Sequence, residues 1–285
     1  MRNKNFAIMI CTHGRPDKQY TLEALRKSGY TGNIILIVDD EDDTVDKLCS
    51  NYEDYNTSVC IFPKQCYIDN VDYGPKLFRK VILYGKCACE NLAKRLQLDT
   101  FVISDDDTKQ FRYRFIEDGK LRALPITKNF DDVADAFVDY LLGADLTALS
   151  FGFTSSYLKG VTVFDPVTIC NNRVAYNFVF RNSKHKVDWR GSYGEDLITA
   201  CTSSIVGNVW MNMPVIHNDM VVQGKSEGGM TELYKSQDSL ELVQCETMYC
   251  PTSMKAQYYK TRWYGAVQRE NTFPRIISSK YSKLK

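Results

Sequence analysis

The first hundred residues alternate between short apolar runs and segments with helical spacing. NFAIMIC is a continuous apolar run, the pattern of a strand buried on both faces. Residues 17–28, DKQYTLEALRKS, follow with Tyr20, Leu22 and Leu25 at helical spacing, Asp17 in the N-cap place and Gly29 just past the last turn. NIILIVDD predicts a second buried strand, residues 43–54 a helix, SVCIF a third strand, GKCACENLAKRLQ a helix and TFVISDDD a fourth strand. This β-α-β-α order predicts an α/β fold with a mostly parallel central sheet and helices on both faces. In such sheets ligands bind beyond the carboxyl ends of the strands. Two acidic clusters fall there, Asp39 to Asp43 and Asp105 to Asp107.

After residue 108 the pattern changes. FRYRF and KLRAL read as antiparallel strands joined at EDG, since Asp-Gly is a hairpin signal. NFDDVADAFVDYLLGA reads as an amphipathic helix, LTALSFGF, RVAYNFVF and NVWMNM as strands, and residues 195–206 as a helix. No Pro/Gly/Ser-rich linker divides the chain. Residues 1–250 are therefore read as one domain, with a smaller antiparallel part on the acceptor side, and residues 251–285 as a basic, aromatic C-terminal extension.

Composition narrows the class. Hydrophobic residues make up 44% of the 285, enough to bury a sizeable core. Lys plus Arg is 36 and Asp plus Glu 35, so the chain does not simply coat nucleic acid, although local patches stay open. No window of about 18 apolar residues exists, so no membrane span is expected. FAIMIC is too short for the apolar part of a signal peptide. The ten cysteines include no C-x-x-C pair, and Cys11, Cys60 and Cys201 sit in apolar runs. That usage predicts buried thiols in a reducing cytoplasm.

The acids carry the candidate chemistry. Three adjacent carboxylates at Asp105, Asp106 and Asp107 repel one another, and a divalent cation bound to phosphate oxygens compensates them. Mg²⁺ and Mn²⁺ take oxygen ligands of this kind, commonly one or two carboxylates plus substrate phosphates. The alternative is a solvated turn; the strand context favours the metal. Asp39 and Asp40, at the other strand tip, suit a ribose hydroxyl or a base edge, and equally a helix N-terminus. Arg15 suits a phosphate or an ordinary turn surface, and His13 in the same loop a base or a phosphate. His217 is either a metal ligand or a histidine hydrogen-bonded in place, and His185 is read as solvated. Lys225 lies in QGKSEGGM, a glycine-bearing loop able to close over a ligand but without the phosphate-loop pattern of an ATPase.

In their order these features resemble the GT-A fold glycosyltransferases, over roughly residues 5–220. The first loop, Cys11-Thr12-His13-Gly14-Arg15, stands where that family places its nucleotide. Glu90-Asn91 stands where a helix-borne pair, usually with Arg first, precedes the metal strand. Glu90 departs from that pattern, leaving Lys86 or Lys94 for the phosphate. Asp105-Asp106-Asp107 is similar to the metal motif, with Asp105 and Asp107 as ligands and Asp105, Asp106 and Asn91 on the donor. Gly194-Glu195-Asp196-Leu197-Ile198 is similar to the acidic pair bearing the catalytic base of inverting members, and His217 in P-V-I-H-N to a further metal ligand. C-T-H-G-R-P with D-D-D and a G-E-D helix most resembles the TET/JBP-associated glycosyltransferases of phages and eukaryotes. That resemblance implies a nucleotide-sugar donor, a UDP-sugar, and a hydroxymethylated pyrimidine in DNA as acceptor, in the cytoplasm (the host's if phage-encoded).

Within that reading Asp196 is the base that takes the acceptor proton, with Glu195 as fallback and a plain helix-start acid as the alternative. Residues 255–285 carry eight Lys/Arg against Glu270, interleaved with Tyr258, Tyr259, Trp263, Tyr264 and Phe273. Together with Arg181, Lys184, Lys186, Trp189 and Arg190, they suit a nucleic-acid acceptor, or else a solvated basic surface. Three other readings stand beside this one. A surface-polysaccharide glycosyltransferase shares every motif. A sugar nucleotidyltransferase is disfavoured by a first loop with one glycine and one arginine, and a binding module without catalysis by the intact acids.

Overall fold

The computed structural model describes residues 1–52, 56–165, 177–221, 239–259 and 262–267. Four parallel strands open the sheet: β1 (Phe6–Cys11), β2 (Ile34–Asp39), β3 (Thr57–Phe62) and β4 (Thr100–Asp105). Between them run α1 (Tyr20–Lys27), α2 (Val45–Tyr52), the short α3 (Lys64–Ile68) and α4 (Leu83–Arg95). A hairpin of β5 (Thr108–Glu117) and β6 (Lys120–Pro125) follows, then α5 (Phe130–Gly143), β7 (Ala148–Gly152) and a 3-10 segment, Thr154–Phe164. The remaining elements are β8 (Phe178–Asn182), α6 (Glu195–Ile205), β9 (Trp210–Met220), α7 (Ser239–Tyr249) and a separate antiparallel pair, β10 (Met254–Tyr259) and β11 (Arg262–Val267).

The α/β expectation holds. One nine-stranded mixed sheet runs in the order β3-β2-β1-β4-β8-β7-β9-β5-β6. Pairing is parallel from β3 to β4 and between β7 and β9, and antiparallel at the other contacts. Strands alternate side chains between faces, so one strand feeds two cores. Phe6, Ile8 and Ile10 of β1 join Leu22 and Leu25 of α1 and Phe130 and Phe137 of α5 on one face. Ala7, Met9 and Cys11 join Leu83 and Cys89 of α4 and Leu197 and Cys201 of α6 on the other. Burial on both faces explains why these strands read as unbroken apolar runs. Met254 is buried in the α4/α6 core, so the start of the C-terminal extension packs onto the domain.

The local readings differ in instructive ways. The hairpin turn falls at Asp118 (φ 50°) and Gly119 (φ 68°), both left-handed, as a tight two-residue turn requires. Asp17 does not cap α1; the helix begins after Gln19, and Asp17 pairs with Lys47 of α2 instead. Gly29 does follow α1, at φ 89°, where a Cβ would stand 2.2 Å from the Lys128 carbonyl oxygen. Strand β4 stops at Asp105, so Asp106 and Asp107 form the turn into β5. Strand β9 continues past the predicted NVWMNM to Met220 and includes His217. The start of RVAYNFVF, Lys225 and most of the basic tail lie outside the described residues.

Candidate active site

The turn after β4 is clamped by the start of α1. Thr21 Oγ1 donates to the Asp105 carbonyl (2.6 Å) and accepts the Thr108 N–H (2.9 Å), fixing the backbone on both sides of the acids. Their side chains then separate by role. Asp106 points inward, 3% exposed, where Thr12 Oγ1 donates to it at 2.7 Å and Arg15 pairs with its other oxygen. Gln19 in turn donates to Thr12 Oγ1. Asp106, Thr12 and Arg15 therefore lock the β1 loop to the β4 turn. Asp105 and Asp107 are half-buried, and each has a buried Oδ1 with no hydrogen-bond partner. Buried polar atoms are nearly always satisfied, and a bare carboxylate oxygen accepts only a proton, a donor or a cation. The donor set fits a hard divalent cation held by two carboxylates.

Burial and the neighbouring acids Asp107, Glu195 and Asp106 push the Asp105 carboxyl up to about 8 against the pull of Lys86. Burial and Asp106 push Asp107 up to about 6, with Arg15 opposing. Both folded values lie above the unfolded one, so their contribution to stability is present in acid and is lost as pH rises through about 6 and then about 8. A bound cation reverses that loss by taking the place of the protons. One pKa unit is worth about 1.4 kcal/mol, which moves melting by a few degrees. The gap between melting temperatures with Mn²⁺ and with chelator should accordingly widen from pH 5 to pH 8.5. Melting curves across that range check it; a gap that stays constant or narrows contradicts the two-carboxylate site.

Beside the turn lies a buried ion pair. Lys86 of α4 donates to Glu195 Oε1 at 2.7 Å, and its ammonium sits 4.9 Å from the Trp189 ring centroid. Burial disfavours the Lys86 charge, yet Glu195, Asp105 and Asp196 outweigh it and raise its pKa. The Lys86–Glu195 pair thus joins the start of α6 to α4. Asp196, one residue on, is half-buried, with Oδ1 accepting the Leu197 N–H at 2.7 Å. Gly194 makes this approach possible: it is left-handed (φ 65°), and a Cβ there would lie 2.4 Å from Glu246 Oε1 of α7.

The tips of β1 and β2 form a second polar wall. His13 Nδ1 lies 2.9 Å from Asp39 Oδ2, and Lys64 pairs with Asp39 at 2.7 Å. Burial opposes the Asp39 charge, but hydrogen bonds from His13 and Lys64 hold its pKa down at about 2. The same bond to Asp39 raises the His13 pKa. Asp40 is exposed and accepts the Lys64 N–H, while Asp42 receives the Gly14 N–H. Lys64, 2% exposed at the start of α3, was not singled out from sequence, where nothing in F-P-K marks it.

Other expected site residues are placed elsewhere. His217 faces Arg112 across β5 and β9 and bonds Arg114. Among the described residues no three His, Cys, Asp or Glu side chains are grouped to hold a metal, and His217 lies three residues before Met220, the partner of Thr108. Asn91 is exposed on the outer part of α4 and donates to Tyr67. The basic segment 181–190 is also displaced. Asn182 pairs with Thr100 and Phe178 with Ser104, so Lys184 and Lys186 sit at the opposite end of β4 from Asp105, roughly 17 Å away along the strand. They pair there with Asp145 and Asp188. Arg181 and Trp189 are buried on Glu90. Arg190 is half-buried, its N–H bonded to Thr199.

Comparison with known proteins adds the following. A family model described as TET-Associated Glycosyltransferase matches residues 6–225. No curated protein sequence matches. Among solved structures the chain is similar to GalNAc-T7 with UDP, GalNAc and Mn²⁺, at TM-score 0.44 and 11% identity over 79% of this chain and 46% of that one. It is similar also to 4-diphosphocytidyl-2C-methyl-D-erythritolsynthase from Anaerococcus prevotii DSM 20548, at TM-score 0.36 and 11% identity over 86% and 96%. Mouse xyloside xylosyltransferase 1 gives TM-score 0.34 and 10% identity over 68% and 71%. The chain thus spans under half the length of the first of these. Among the described residues no helix is long and apolar enough to cross a membrane.

Proposed function

The chain belongs to the TET-associated glycosyltransferase family, and from that premise we propose that it transfers a sugar from a UDP-sugar to the hydroxyl of a hydroxymethylated pyrimidine in DNA. The observation that carries the reading is the pair of partnerless buried oxygens on Asp105 and Asp107 at a strand end. A bound Mn²⁺ or Mg²⁺ would be held by those two carboxylates and would neutralise charge on the leaving diphosphate. The chain's own groups do the rest. Thr12, Arg15 and Asp106 fix the loop under the donor, and His13 and Asp39 offer polar edges for its nucleoside. Asp196, held at the N-terminus of α6 by the Lys86–Glu195 pair, accepts the proton leaving the acceptor oxygen as that oxygen attacks the sugar.

Incubation with a panel of nucleotide sugars, Mn²⁺ and hydroxymethylated DNA tests this reading. The expected product is a nucleoside heavier by one sugar. Turnover in excess chelator overturns the metal role. Transfer to a polysaccharide but not to DNA replaces the acceptor with a surface glycan.

A further inference from the structure

The F-R-Y-R-F stretch of β5 alternates arginine with aromatic residues, and the fold gives the alternation a purpose. Phe111 enters the α1/α5 core, so Arg112 and Arg114 turn to the other face of the sheet, the face covered by α4 and α6. There they meet side chains of β9 and the 3-10 segment. Arg114 Nη2 donates to His217 Nδ1 at 2.8 Å, and its guanidinium stacks 4.5 Å from the Tyr157 ring centroid. Arg112 pairs with Asp219, and His217 Nε2 faces Thr154 Oγ1 at 3.4 Å. His217 is buried while Arg112, Arg114 and Tyr157 are half-buried and Thr154 is exposed, so the cluster has a closed floor and an open mouth.

Its charge is not balanced. Asp219 pairs with Arg112 and lies 3.2 Å from His217 Nδ1, but no carboxylate pairs directly with Arg114 among the described residues. The Arg114 Nε is moreover buried without a partner. Burial, with the two arginines, outweighs the pull of Asp219 and pushes His217 down to about 4, so at neutral pH it accepts from Arg114 and adds no charge. A half-buried guanidinium held flat on a tyrosine at the mouth of the cluster suits a phosphate oxygen. The site also lies at a useful distance. Thr108, next to Asp107, pairs with Met220, and Arg112 and Arg114 are four and six residues further along β5, roughly 13 and 20 Å.

Resting on the DNA acceptor proposed above, we infer that Arg114, with Arg112, His217 and Tyr157, forms a phosphate-binding subsite. It holds the acceptor strand a few nucleotides from the base being modified. Phosphate contacts of this kind set register and orientation, and they release counterions on binding. The test uses a fluorescein-labelled single-stranded oligonucleotide carrying hydroxymethylcytosine, titrated by anisotropy at several salt concentrations. Arg114→Met should weaken binding about tenfold or more and lower the salt slope by about one, and Arg114→Lys should restore part of the affinity. The UDP-sugar KM should stay within twofold of wild type, and the melting temperature should show that the variant is folded. As a control, charge reversal at Lys184 and Lys186 should change affinity less than twofold.

The outcomes separate the two readings. Wild-type protein that binds no DNA even at low salt overturns the acceptor class and this subsite with it. Wild-type protein that binds DNA while Arg114→Met binds equally well overturns the subsite alone. So does a change confined to the UDP-sugar KM, or a loss that follows Lys184 and Lys186.

Discussion

Asp105→Asn and Asp107→Asn should each abolish sugar transfer, by about a thousandfold or more, while the protein stays folded. Each substitution keeps the shape of the side chain and removes one of the two carboxylates proposed to hold a cation. Loss of metal-centred charge stabilisation is worth several kcal/mol, and each 1.36 kcal/mol is tenfold in rate. The same substitutions should not weaken the metal-free fold. Burial and mutual repulsion already disfavour the charged forms, which is why Asp105 is pushed up to about 8 and Asp107 to about 6. In chelator at pH 8 the variants should therefore melt at or above the wild-type temperature, and added Mn²⁺ should no longer raise it. Residues that cost stability and are needed for activity have this signature. Turnover within tenfold of wild type in both variants would falsify the assignment.

The parallel half of the sheet was legible because it obeys one simple rule. A strand buried on both faces must be apolar throughout, so NFAIMIC and NIILIVDD announce themselves, and acids can appear only where they stop. Asp105 and Asp39 stand at such strand ends. The division of labour within the D-D-D turn was not legible. Whether a carboxylate turns inward to Thr12 and Arg15 or keeps a bare oxygen depends on the clamp by Thr21, eighty-odd residues away in sequence. Basic residues misled for a related reason. Arg181 to Arg190 is rich in charge and lies close in sequence to Asp196, but the antiparallel register of β8 on β4 carries Lys184 and Lys186 to the wrong end of the sheet. Trp189 and Arg181 are spent on Glu90 inside the core. The Asp-Gly turn after F-R-Y-R-F, by contrast, does mark the hairpin, while the arginine face of that strand has no signal of its own in the sequence. Only the pairing with β9 shows what that face meets.

Asp196→Asn should lower kcat by about 10²–10⁴-fold with little change in the donor KM, as removal of a proton acceptor does. The neighbouring Glu195 must be separated from it, and the fold supplies the means. Glu195 is the counter-charge of Lys86, and both are buried. Glu195→Gln removes the hydrogen-bonded counter-charge of that buried ammonium, a change that costs up to about 3–5 kcal/mol in comparable pairs, with Asp105 and Asp196 left to offset part of it. Its melting temperature should therefore fall, and any loss of activity should track the loss of folded protein. Asp196 is half-buried at the first turn of α6, whereas Glu195 is buried and hydrogen-bonded to Lys86, so the Asp196 variant should melt closer to wild type than the Glu195 variant. Measured together, kcat and melting temperature distinguish a base from a strut. If Asp196→Asn keeps near-normal turnover while Glu195→Gln loses it at an unchanged melting temperature, the proton goes to Glu195 instead. Lys86 would then serve to keep that base charged rather than to hold the helix in place.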